Sequence, residues 1–194
     1  TMCRAGDPPE LIASTSGRAI PGVQVRIVGK SGNKLAAGEP GEVVVRGYNV
    51  MKGYLGDADA TARAVSKSGW LHTGDIGVMD AGGNLRITDR LKDMFIMGGF
   101  NCYPAEIERV LLSRHDIVQA AVIGVPDERM GEVGIAFVVP RADVSIDDAE
   151  VVSWCREKMA NFKVPRQVRV VQSLPMNATG KVQKFKLRAE VAGV

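Results

Sequence analysis

Ile87-Thr88-Asp89-Arg90-Leu91-Lys92-Asp93, running on through Gly98-Gly99-Phe100-Asn101 to Pro104-Ala105-Glu106-Ile107-Glu108, is where the chain changes texture. Upstream of Arg90, β-rich runs alternate with Gly- and Pro-containing turns. Residues 23–28 (Val-Gln-Val-Arg-Ile-Val) and 43–46 (Val-Val-Val-Arg) read as strands, and strand-like segments at 70–79 and 84–89 join through Asp80-Ala81-Gly82-Gly83-Asn84. One helix over Asp57–Ser66, capped by Asp57 or Asp59, is too little helix for a βαβ nucleotide fold. The spacing predicts a mostly antiparallel sheet or partial barrel over residues 1–90. Downstream, Gly98-Gly99 predicts the turn of a short hairpin across Met94–Cys102, and Pro104 opens a helix to about Arg114 with Ile107, Val110 and Leu111 on one face. Strands at Val118–Val125, Gly134–Val139 and Val168–Gln172, a helix from Ser145 to Ala160 and a basic final helix complete the pattern. Residues 91–194 therefore read as an α+β unit of about three strands and three helices.

The composition, 45% hydrophobic and 24% charged, is that of a globular chain with enough apolar residues for one or two cores. No apolar run approaches the ~18 residues that cross a bilayer, and Thr1-Met2-Cys3-Arg4 carries no signal-peptide pattern. Cys3, Cys102 and Cys155 are widely spaced and odd in number, and only His72 and His115 accompany them. That set suits neither a disulfide framework nor a metal site, and points to reduced thiols in a cytoplasmic protein. The net charge of +3 is unevenly spread: Trp154 to Arg188 holds nine Lys or Arg against Glu157 alone. A basic stretch of this kind attracts nucleic acid, an acidic membrane or a small polyphosphate, or is simply a solvated helix face.

Four motifs in order carry a resemblance. They are Gly41-Glu42-Val43-Val44-Val45-Arg46-Gly47 with Gly53-Tyr54-Leu55, then Gly69-Trp70-Leu71-His72-Thr73-Gly74-Asp75, then the stretch quoted above, and finally Leu174-Pro175-Met176-Asn177-Ala178-Thr179-Gly180-Lys181. Together they resemble the adenylate-forming superfamily of acyl-CoA synthetases, nonribosomal adenylation domains and beetle luciferases, and cover nearly the whole chain. The sequence at Gly98–Glu108 is most similar to the fatty-acid-CoA ligase-like branch. The resemblance implies a carboxylic acid, ATP and CoA as small-molecule substrates, with AMP and pyrophosphate released. It also implies that residues 1–90 end a large adenylation domain and 91–194 form a small mobile lid. The family's phosphate-cradling loop and the Tyr-Gly-x-Thr-Glu segment that contacts adenine and Mg2+ do not occur in these 194 residues. The expectation is a C-terminal fragment, inactive alone, of a longer synthetase.

By the same resemblance, Asp75 accepts the two ribose hydroxyls of the nucleotide, Arg90 lies beside the ribose, and Ile87 packs near it. The lesser alternative for Arg90 is an ion pair with Asp89 or Asp93, and for Ile87 a place in the strand core is nearly as well supported. Lys92 occupies the hinge position. Gly98 and Gly99, besides serving a hairpin turn, would border the pantetheine arm. Phe162 would stack on the CoA adenine, or else belong to the core, while Lys163 and Arg166 face CoA phosphates; Val164 stands where one relative type has arginine. Lys181, expected in a flexible loop, would bind the carboxylate and α-phosphate oxygens in the adenylation transition state. His72 and His115 show no pairing suggestive of general-base work, and Glu106 and Glu108 suit a helix start. An acyl-AMP ligase that stops at the adenylate or loads a carrier protein is the nearest alternative. A non-catalytic anion-binding module is more remote, and nucleic acid is disfavoured because Trp154, Phe162 and Phe185 are sparse among the basic residues.

Overall fold

Residues 1–193 are described by the computed structural model. After the short helix α1 (Pro9–Ser14), β1 (Val23–Val28) pairs antiparallel with β2 (Gly41–Gly47), unbroken from Val23↔Gly47 to Val28↔Glu42. Helix α2 (Ala58–Ala64) starts where Asp57 accepts the Ala60 N–H at 2.8 Å. Strands β3 (Leu71–Met79) and β4 (Leu85–Arg90) complete an open antiparallel sheet of order β1-β2-β3-β4, so the predicted sheet forms and does not close into a barrel. Ile27, Val43 and Leu85 form its core, with Val25, Val45 and Met79 packed against them. The Asp80–Asn84 turn is tied by its own side chains. Asp80 accepts from both the backbone and the side-chain nitrogen of Asn84 at 2.8 Å, and these bonds hold its carboxyl below the usual range. This compact unit ends at Lys92, and a second begins at Asp93.

In the second unit the hairpin β5 (Phe95–Met97) and β6 (Phe100–Cys102) precedes α3 (Pro104–Leu111). Helix α3 stops short of Arg114 because that residue turns away into a carboxylate. Its Nε and Nη2 reach the two oxygens of Asp116 at 3.0 and 2.7 Å, and Nη2 also meets Glu150 at 3.3 Å. Strands β7 (Ile117–Asp127) and β8 (Gly131–Pro140) form the central ladder. They run longer than the sequence suggests because Asp127 closes their turn, accepting the Arg129 and Met130 N–H groups at 3.0 and 2.8 Å. Helix α4 (Asp148–Lys158), N-capped by Asp147, leads to a 3-10 turn at Asn161–Lys163 and then to β9 (Gln167–Val170), which lies parallel to β8. Helix α5 (Lys184–Ala192) ends at Gly193, whose φ of 73° gives the left-handed C-cap. Counting the hairpin, the sheet has five strands.

Helices cover both faces of that sheet. Val122, Ala136 and Val138 point to the side of Ile107, Leu111, Val151 and Cys155 from α3 and α4. The intervening Ala121, Ile123, Ile135 and Phe137 point to the side of Leu187 from α5. Burial on both faces explains why residues 120–123 and 135–139 are continuous apolar runs instead of alternating ones.

Phe95 fixes the hairpin to this ladder. Gly124 and Gly134 are opposite each other on β7 and β8, and together they leave a notch filled by the Phe95 ring. A Cβ on Gly124 would lie 2.3 Å from the Phe95 Cβ, whereas one on Gly134 would lie 3.0 Å from the ring tip. Gly124→Ala should therefore destabilise the chain by about 2–3 kcal/mol, and Gly134→Ala by less. Urea unfolding of the two variants checks the order; equal stability of Gly124→Ala and wild type would show that the Phe95 ring does not depend on this notch.

Candidate functional site

In the first unit the site is built on a bulge. Between the pairs Glu42↔Ile76 and Val44↔His72, β3 carries Thr73, Gly74 and Asp75 against Val43 alone. Gly74 takes φ 70°, a value that favours glycine. Thr73 Oγ1 donates to the Val43 carbonyl at 2.8 Å and accepts the Asp75 N–H at 3.1 Å. Glu42 spans the bulge: one carboxylate oxygen accepts the Gly74 N–H at 3.3 Å and the other lies 2.8 Å from His72 Nδ1. His72 thus does have a carboxylate partner, contrary to the sequence reading, because Glu42 is thirty residues away and only the β2–β3 register brings it near.

The bulge presents Asp75 opposite Arg90, with Oδ1 3.3 Å from Nε. Arg90 is therefore paired with Asp75. Asp89 instead accepts the Arg90 backbone N–H at 2.6 Å, and Asp93 is bound to Arg188 at 3.0 Å. The Arg90 side chain is 60% exposed and that of Asp75 31%, so the pair adds little stability and both groups face solvent. Ile87, on the same strand as Arg90, is 42% exposed and is not a core residue. The arrangement offers a carboxylate acceptor, a guanidinium fork and an apolar side chain on one strand pair. Lys92 is exposed in the turn that follows β4.

In the second unit Gly98 and Gly99 form the hairpin turn at φ 57° and 87°. Gly98 is crowded, since an added Cβ would meet Met130 Cε at 2.7 Å, while nothing lies within 4 Å of one on Gly99. Phe162 packs against the core, and its ring stacks on that of Phe100 with centroids 4.7 Å apart. That contact covers one ring face, and the outward aromatic of the pair is Phe100, 58% exposed. Lys163 is already engaged by Glu106 at 2.6 Å. Arg166 lines a groove of about 640 Å³ with Met97, Asp127, Met130 and Asn161. Glu106 and Glu108 serve the fold by ion pairing across elements: Glu108 accepts the Val122 N–H at 2.8 Å and pairs with Lys184 at 2.7 Å.

Lys181 sits at the end of a loop whose backbone is tied by local hydrogen bonds. Asn177 Oδ1 and the Asn177 backbone hold Thr179, Gly180 and Lys181, and the bridge Met176↔Val182 closes the base. The Lys181 side chain is exposed. Nothing in a Pro/Gly-bearing loop sequence distinguishes this arrangement from a mobile one until the triple use of Asn177 is seen. Among the described residues, no group of three or more His, Cys, Asp or Glu is placed to hold a metal ion, and no helix is long and apolar enough to cross a membrane.

The family model for AMP-binding enzymes matches residues 1–55, and that for the AMP-binding enzyme C-terminal domain matches residues 106–181. The chain belongs to the adenylate-forming, AMP-binding enzyme family, and its relatives there are acyl-CoA ligases. It is 55% identical to the 3-(7a-methyl-1,5-dioxo-octahydro-1H-inden-4-yl)propanoyl:CoA ligase of Rhodococcus jostii, over 98% of this chain and 35% of that protein. Identity to a long-chain-fatty-acid–CoA ligase of Salmonella typhimurium is 42%, over 91% of this chain and 31% of that protein. Among solved structures, ATP-bound MatB from Rhodopseudomonas palustris superposes with a TM-score of 0.86 at 39% identity, covering 91% of this chain and 35% of that one. The chain thus spans about a third of the length of these relatives.

The three thiols differ in accessibility. Cys102 is buried and donates to the Phe162 carbonyl at 3.2 Å, and burial raises its pKa. Burial also pushes Cys155 up to about 11, while Cys3 is partly exposed. Titration with a thiol reagent near pH 8 should modify Cys3 promptly and the other two only after denaturant is added. Three fast-reacting thiols in the native chain would contradict the buried placement.

Proposed function

We propose that this chain is the C-terminal third of an ATP-dependent acyl-CoA synthetase, comprising the end of the adenylation domain (residues 1–90) and the mobile lid (91–194). The observation that carries it is the Asp75–Arg90 pair, raised by the Thr73-Gly74 bulge and left half exposed. A carboxylate can accept both hydroxyls of a ribose, while a guanidinium beside it meets ribose or phosphate oxygens. Ile87 supplies an apolar contact near the nucleotide. Membership of the acyl-CoA ligase relatives supports ATP, a carboxylic acid and CoA as substrates.

The reaction has two halves. The acid's carboxylate oxygen attacks the α-phosphorus of ATP, and pyrophosphate leaves. The CoA thiol then attacks the acyl carbon, giving the thioester and AMP. Lys181 acts in the first half. Its ammonium offsets the charge gathering on the carboxylate and α-phosphate oxygens without itself exchanging a proton. In the second half the pantetheine arm passes along Gly98 and Gly99, where Gly99 leaves open space. Arg166, with Lys163 and the Phe162 ring, faces the nucleotide end of CoA. Lys163 must release Glu106 to act there. Lys92 is the pivot between the two arrangements. No phosphate-cradling loop occurs in these residues, so turnover is assigned to the longer protein. The three unpaired cysteines suit a reducing, cytoplasmic setting.

Lys181→Ala in the full-length enzyme should slow acyl-AMP formation by roughly 10²–10³ and spare thioester formation from supplied acyl-AMP. Normal pyrophosphate release by that variant would refute the role. Lys92→Pro should slow the second half-reaction more than the first, because a fixed φ opposes the backbone rotation. The two half-reactions assayed separately decide this, with an equal loss in both speaking against the hinge.

A further inference from the structure

Asn177 is the centre of the hydrogen bonding that ties its loop, and both backbone polar groups of Lys181 are among its partners. Its Oδ1 accepts three hydrogen bonds, from Thr179 N at 3.0 Å, Thr179 Oγ1 at 2.8 Å and Lys181 N at 2.9 Å. Its own N–H donates to the Lys181 carbonyl at 2.9 Å, and its carbonyl accepts the Gly180 N–H at 3.0 Å. Both backbone polar groups of Lys181 are therefore bound to one residue. Gly180 supplies the left-handed φ of 77° that the return requires. The base of the loop is anchored as well. Gln183 N–H donates to the Pro175 carbonyl at 2.7 Å, Leu174 is buried, and Val182 packs against the same core as Leu187. Against this, the Lys181 ammonium has no ion-pair partner among the described residues and its side chain is exposed.

A rigid stub carrying an unengaged ammonium is what a transferable charge needs. If the loop were loose, several residues would have to be ordered each time the lysine entered a site, at about 1–2 kcal/mol of backbone entropy apiece. We infer that Asn177 is a positioning residue for Lys181, fixing its backbone so that only the lysine side chain is ordered when it engages substrate. This rests on the reading of Lys181 as the adenylation lysine. An alanine at 177 removes the shared acceptor and leaves the fold's anchors, Leu174 and Val182, in place.

The test uses the full-length enzyme as wild type, Asn177→Ala, Asn177→Asp, Lys181→Ala and the double variant Asn177→Ala/Lys181→Ala. Asn177→Ala should lower kcat for acyl-AMP formation roughly tenfold, as expected for a misplaced catalytic group. KM for ATP and thioester formation from supplied acyl-AMP should stay within about twofold, since neither uses the lysine's placement. Asn177→Asp, which keeps an acceptor oxygen, should recover most of the rate. In the Lys181→Ala background, Asn177→Ala should cost nothing further. Hydrogen exchange should show the Thr179 and Lys181 amides exchanging faster in Asn177→Ala. The inference is overturned by full adenylation activity in Asn177→Ala, by an equal loss in both half-reactions, or by a further loss on top of Lys181→Ala. If Lys181→Ala itself adenylates normally, the lysine assignment fails first and this inference falls with it.

Discussion

Phe95 seated between Gly124 and Gly134 is the contact on which the second unit's geometry depends. The hairpin that carries it touches the central ladder through few backbone bonds: one register pair, Met97↔Gly131, and the Gly98 N–H to the Met130 carbonyl at 2.9 Å. Such a short ribbon is not stable by itself. Burying a phenylalanine contributes about 3 kcal/mol, while two strand glycines together cost about 1–2 kcal/mol. The notch is therefore worth its glycines only because the ring fills it. Once Phe95 is seated, the positions of Gly98 and Gly99, three and four residues later, follow, as does that of Phe100, which stacks on Phe162.

Charged groups then lock elements that the apolar core merely brings near. Arg188 reaches from α5 to Asp93, two residues before Phe95, so the start of the unit is held by an ion pair as well as by a ring. Glu108 joins α3 to β7 and α5 at once. Arg114, whose side chain is 11% exposed, satisfies Asp116 with two bonds and lies over Trp154 at 5.4 Å. These pairs are partly or largely buried, and breaking one would leave its partner unsatisfied. The Asp75–Arg90 pair is different in kind. It is exposed and contributes little to folding, as the proposed ligand-binding role requires.

Much of this was legible from the residues alone. Turn chemistry located the β3–β4 and β5–β6 hairpins, Pro104 marked the start of α3, and Asp57 was one of the two caps the sequence offered for α2, because these signals act over four residues or fewer. Most of what escaped the sequence acts at long range. The full lengths of β7 and β8 were hidden because the ladder continues past Val125 to Asp127↔Gly131, where the Asp127 carboxylate closes the turn. Glu42 as the partner of His72 and Gly74 was hidden because a two-residue excess on β3 sets the register. The choice of Asp75 as the partner of Arg90, over the nearer Asp89 and Asp93, is likewise a matter of cross-strand pairing and not of sequence proximity.

The two residues bearing most of the proposed chemistry are presented in the same way. Asp75 stands on a bulge whose backbone is fixed by Thr73 and Glu42, and Lys181 on a loop whose backbone is fixed by Asn177. In each case a polar side chain, not an apolar one, holds the main chain, and the functional side chain is left outside that network. Apolar packing would have drawn Asp75 or Lys181 toward the core and imposed a desolvation cost on the charge. Hydrogen-bonding the backbone gives rigidity at the surface, where a charge stays hydrated until substrate replaces the water. Rigid main chain beneath a solvated charge is the condition for electrostatic stabilisation that needs little reorganisation when the reaction occurs.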